Sequence, residues 1–171
     1  QVRFQITPVK YARGTNDKKI YQLNEQQATL LITYLKNTPP VRQFKKDLVQ
    51  EFYRMRRELT RRQIFRDAGK PIRRTLTDAI RDSGEDGRMH GHAYGTYTDL
   101  AYKAATGKIA RILRKERGAS AKAIATDFLT SDELSAYNKA EERLTVLLDM
   151  GLTYDQIKTL LLVQTSKRLA G

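Results

Sequence analysis

Apolar and polar residues alternate through Val2–Tyr11, with Val2, Phe4 and Ile6 on one side and Arg3 and Gln5 on the other. A period of two predicts a strand. Ala12–Asp17 follows, with Gly14 and Asn16 tolerating positive φ, so a turn is expected there. Ile20, Tyr21 and Leu23 read as a short returning strand, which completes a β-hairpin.

The period then becomes helical. Asn24 and Gln27 make a variant of the capping box, and Ala28, Leu31, Ile32 and Leu35 share one face, so a helix is expected from about Glu25 to Lys36. Asn37-Thr38-Pro39-Pro40 stops it. Val41, Phe44, Leu48, Phe52, Met55 and Leu59 next recur at spacings of three and four, and neither Pro nor Gly interrupts Val41–Ala68. A helix of roughly 25 residues would be about 38 Å long, more than a small module needs. Gly69-Lys70-Pro71 is expected to end it and to separate residues 1–68 from an all-α domain over residues 72–166.

Within that second domain the pattern predicts a short helix over Ile72–Arg81 and a polar, Gly-rich loop over Asp82–Gly91. Further helices are expected over Ala93–Ala105, Lys108–Arg117 and Ser120–Phe128. Thr130 and Glu133 form a capping box ahead of the stripe Leu134, Tyr137, Leu144, Leu147 and Leu148, and Gly151 is the expected C-terminal stop. Thr153 and Gln156 form another capping box, leading Ile157, Leu160 and Leu161 into a last helix with a frayed tail over Lys167–Gly171. The fold class is therefore mainly α with a small N-terminal β-hairpin: an α+β N-terminal module, a long linking helix and an all-α C-terminal helical domain.

Composition narrows the chemistry. The 171 residues include no Cys, which excludes disulfides, Cys-ligated zinc, iron–sulfur clusters and Cys nucleophiles. No apolar run approaches the roughly 20 residues that span a bilayer, and Gln1–Tyr11 lacks signal-peptide anatomy. The chain has no initiator Met and reads as a processed or trimmed piece. Net charge is +13, and residues 1–75 hold 18 Lys/Arg against 6 Asp/Glu, whereas residues 76–171 hold 14 against 13. One half is a polycation and the other is nearly neutral, so two modules with different partners are expected.

The excess sits on the long helix. Lys45, Lys46, Arg54, Arg57, Arg61, Arg62 and Arg66 are the candidate DNA-binding residues, since Arg suits bidentate phosphate contacts and neighbouring cations repel unless something anionic is near. A solvated linker helix would carry the same pattern. Arg73 and Arg74 extend the patch or are ordinary surface residues. Phe52, Met55 and Leu59 exceed what the hairpin module can cover and are the candidate oligomer interface, most simply of a dimer.

Other constellations weigh less. Asp82, Glu85, Asp86, His90 and His92 form the one metal-like cluster, but a flexible loop does not force ligands to converge, so no metal and no cofactor is expected. There is no Gly-x-Ser-x-Gly and no P-loop, and both His lie in that loop, so no catalytic centre is expected. Ala101–Leu113, with Gly107, superficially resembles a helix-turn-helix but reads better as a bundle corner. Tyr94, Tyr97 and Tyr102 have the spacing of core residues more than of a base-stacking platform.

Tyr21–Leu35, followed by Val41–Lys45 and Phe52–Arg56, resembles the regulatory proteins of the phage Rha family. Leu76–Ile80, Tyr97–Lys108, Leu113–Gly118, Asp127–Thr130 and Met150–Lys158 resemble, in the same order, the C-terminal domain of phage antirepressor-type proteins. The resemblance implies a prophage regulator in the bacterial host cytoplasm, with no membrane association. It implies binding to DNA, to a repressor or to another regulatory protein. Similar proteins usually carry a winged-helix-like segment before the hairpin, and this sequence starts at the hairpin. The reading is DNA binding through the basic module, with the C-terminal domain contacting itself or another protein. The alternative is an antirepressor acting by protein contact alone.

Overall fold

The computed structural model describes residues 3–11 and 14–169; Val2 of the expected strand, Ala12 and Arg13 of the expected turn, and Ala170 and Gly171 lie outside the described residues. The chain divides into two compact units, Gln1–Arg54 and Met55–Gly171.

In the first unit, β1 (Arg3–Tyr11) pairs antiparallel with β2 (Gly14–Gln22), Tyr11 opposite Gly14 and Phe4 opposite Tyr21. Gly14–Asp17, expected in the turn, are thus strand residues, because pairing begins at Gly14 and leaves only two residues for the connection. Phe4 meets the Tyr21 ring at 6.1 Å, and the Lys19 ammonium sits 5.1 Å above the Phe4 ring, a cation–π contact. Helix α1 (Glu25–Tyr34) has the expected capping box, Gln27 N–H donating to Asn24 Oδ1 at 2.9 Å and Asn24 N–H to Gln27 Oε1 at 3.1 Å. It stops short of Lys36 because Leu35 is extended.

Helix α2 runs from Pro39 to Asp82, its residues through Arg54 belonging to the first unit. The expected stop at Gly69-Lys70-Pro71 lies inside this helix, as does the separate helix expected over Ile72–Arg81. Gly69 has another role. A Cβ there would stand 2.7 Å from Asn138 Oδ1, and Asn138 donates to the Phe65 carbonyl at 2.8 Å. The bare backbone lets Asn138 wedge against the helix, and later contacts outweigh the missing N–H of Pro71, a local cost of about 3 kcal/mol. Gly69→Ala should therefore destabilise the protein by about 1–2 kcal/mol, overpacking exceeding the helix-propensity gain of about 1 kcal/mol. In an Asn138→Ala background the same substitution should become stabilising, a reversal of sign readable in denaturant melts. Additive effects would refute the wedge.

The second unit has the core. Leu76 and Ile80 of α2 are fully buried with Tyr97 and Ala101 of α4 (Ala93–Thr106), Leu134, Leu144 and Leu148 of α6 (Ser131–Asp149), and Ile157 and Leu161 of α7 (Tyr154–Leu169). Between them lie α3 (Glu85–Arg88) and α5 (Ala110–Glu116). Three expectations change here. The polar loop contains α3, whose Glu85 turns inward to accept from the Tyr97 hydroxyl at 3.1 Å and pair with Arg88 at 2.9 Å. Ser120–Phe128 shortens to a 3-10 turn at Ala125–Phe128, because Ile124 is extended. The last helix continues to Leu169. The Thr130/Glu133 box and the left-handed Gly151 (φ +76°) appear as expected.

Candidate nucleic-acid interface

In the first unit, no described residue is buried. The apolar stripe grows more exposed along α2: Phe44 and Leu48 are 37% exposed, Phe52 and Met55 55%, Leu59 64%. Phe52 packs edge-on against Tyr53, with ring centroids 5.5 Å apart. The expected interface residues are thus all more than half exposed.

The seven candidate DNA-binding cations fall into different environments. Lys45 is spent on the α1–α2 connection, its Nζ donating to Asn37 Oδ1 at 2.8 Å and to the Leu35 carbonyl at 3.2 Å. Arg54 pairs with Glu51 at 2.7 Å on an open surface. Arg61, Arg62 and Arg66 are engaged inside the second unit. Arg61 meets Asp132 at 2.7 Å, Arg62 donates to the Asp127 carbonyl, and Arg66 reaches the Asp127 carboxylate and Thr126 Oγ1. Glu58 completes this latch, accepting from both the N–H and the hydroxyl of Ser131 at 2.7 Å. Those two bonds, assisted by Arg61 and Arg62, hold the Glu58 carboxyl below its usual range. Lys46 and Arg57 remain, and Arg42 and Arg56 join them: among the described residues these four have no side-chain partner. Arg42 and Arg56 carry no signal in the sequence that marks them off from their neighbours.

Arg73 is more than a surface residue. It pairs with Glu141 at 2.9 Å and donates to Thr98 Oγ1 at 2.6 Å, while Tyr137 donates to the same Glu141 oxygen at 2.7 Å. Glu141 is 1% exposed; burial raises its pKa, and Tyr137 and Arg73 oppose the rise. Tyr97 and Tyr102 are core residues, and burial pushes the Tyr102 hydroxyl up to about 12. Among the described residues no group of three His, Cys, Asp or Glu is placed to hold a metal ion, and no helix is long and apolar enough to cross a membrane.

What these residues of α2 can do follows from their groups: cations with no side-chain partner among the described residues attract polyanions, and exposed apolar rows attract other apolar rows. No curated protein matches the chain. Residues 1–57 match the family model described as phage regulatory protein Rha, a likeness that covers the N-terminal third of the chain.

Proposed function

We propose that the protein is a phage regulator that acts in the bacterial host cytoplasm as a homo-oligomer, a two-fold dimer in its simplest form, and binds duplex DNA through phosphate contacts. The observation carrying this is the unit that matches the Rha family: it buries none of its described residues, and among the described residues Arg42, Lys46, Arg56 and Arg57 have no side-chain partner. A unit without a buried core gains stability by associating. Phe52, Met55 and Leu59, spaced as i, i+3 and i+7, supply a helical seam for a second copy. The C-terminal helical domain, beyond the family match, then serves contact with itself or another regulator.

A second reading keeps the regulatory role without DNA. The exposed pair Phe4 and Tyr21 on the hairpin favours a protein partner such as a repressor, bound by apolar contact. Salt separates the two. Fluorescence anisotropy with a labelled duplex should give a log–log slope of about −3.6 per bound chain, for four phosphate contacts each, and about twice that where both chains of a dimer engage the duplex. A duplex that does not bind at 50 mM salt would leave the protein-contact reading. Light scattering at micromolar concentration should give twice the chain mass, reduced to one by Phe52→Glu; a monomeric parent chain would refute the seam.

A further inference from the structure

The second unit contains a cavity of about 490 Å³ between α2 and the helices packed on it, within the size range of small-molecule sites. Its α2 wall carries Arg66, Lys70 and Arg74, a row at i, i+4 and i+8. Like charges so spaced repel along a helix, and an anion in front of them relieves the repulsion. Arg66 is tied to Asp127 and Lys70 to exposed Asp67, but among the described residues Arg74 has no partner. The lining also includes the partly buried Phe65, an apolar surface beside the cations. At Glu141 both side-chain hydrogen bonds, from Arg73 and Tyr137, fall on Oε1. Among the described residues neither of these bonds reaches Oε2, and Glu141 lines the cavity.

Three demands therefore meet in one place: an anionic group for Lys70 and Arg74, a planar body for the Phe65 ring, and an N–H donor for the Glu141 carboxylate. A nucleobase joined to a phosphate meets all three. We propose that this cavity binds a nucleoside phosphate, its phosphate on Lys70 and Arg74, its base against Phe65, and a base N–H on Glu141 Oε2. This site lies wholly in the second unit and does not depend on DNA binding by the basic helix.

The test is thermal unfolding and calorimetry of the full chain with the 5′-monophosphates of guanosine, adenosine, cytidine and uridine, with inorganic phosphate and a short single-stranded DNA as further probes. At ten times its Kd a bound mononucleotide should raise the melting temperature by roughly 3–6 °C. Lys70→Ala with Arg74→Ala should weaken that binding at least tenfold, whereas Arg56→Ala with Arg57→Ala should leave it unchanged. Both cations of the first pair are surface groups outside the core, so the variant keeps its fold. The proposal is overturned if no mononucleotide binds, if inorganic phosphate binds equally well, if only the oligonucleotide binds, or if the Lys70/Arg74 variant retains full affinity.

Discussion

Arg73→Ala should lower stability by about 2–3 kcal/mol at neutral pH and by much less at pH 4. Breaking a buried ion pair by removing one partner costs about 3–5 kcal/mol when both are enclosed, but the Arg73 side chain is 38% exposed, so water screens part of the interaction. The loss falls on Glu141, which keeps only the Tyr137 hydroxyl. Its sign with pH follows from the direction of the Glu141 shift. Burial raises the folded pKa above the unfolded one, so the contribution to stability is fully present below the unfolded carboxylate pKa and is lost as pH rises through the folded pKa. Arg73 is one of two groups opposing that rise; without it the folded pKa climbs further and the loss deepens toward pH 8. Melts followed by circular dichroism should show a fall of roughly 6–12 °C at pH 8 against a small one at pH 4. Arg73→Lys, which keeps the charge but not the second arm to Thr98, should lie between. An equal loss at both pH values would show that Arg73 acts by packing alone.

The parts of this fold legible in sequence are those whose cause is local. Two of the three expected capping boxes, at Asn24/Gln27 and Thr130/Glu133, lie within four residues and appear as expected, and at Thr153 the N–H and hydroxyl both donate to Gln156 Oε1. The stripe behind the second is set by helical period, and Leu134, Tyr137, Leu144 and Leu148 are buried. What was not legible depends on partners distant in sequence. Gly69 reads as a breaker until Asn138 is seen against it, and the helix then continues to Asp82. Glu85 reads as a solvated loop residue until Tyr97 and Arg88 are seen around it. The candidate site shows the same division. Periodicity locates the basic helix and its exposed apolar row, but only the fold shows that Arg61, Arg62 and Arg66 face Asp127 and Asp132, more than sixty residues away.

That division makes the seven sequence-marked cations unequal, and two sets of substitutions should separate them. Arg42→Ala, Lys46→Ala, Arg56→Ala and Arg57→Ala together remove four cations that have no side-chain partner among the described residues, so they leave no described carboxylate unpaired and should barely alter the melting temperature. If each neutralises one phosphate, the salt slope of duplex binding should flatten by about 3.6, and affinity near 0.1 M salt should fall by about three orders of magnitude, alike for every duplex sequence. Arg61→Ala, Arg62→Ala and Arg66→Ala should do the reverse. They release the latch on residues 126–132 and lower the melting temperature, while the salt slope changes by less than about one unit, because these cations already face oxygen acceptors of the protein. Anisotropy titrations between 50 and 300 mM salt, paired with thermal melts, read both quantities on the same samples. If the slope instead flattens with the second set and not the first, the phosphates are held by the latched arginines, and DNA must displace Asp127 and Asp132 to reach them.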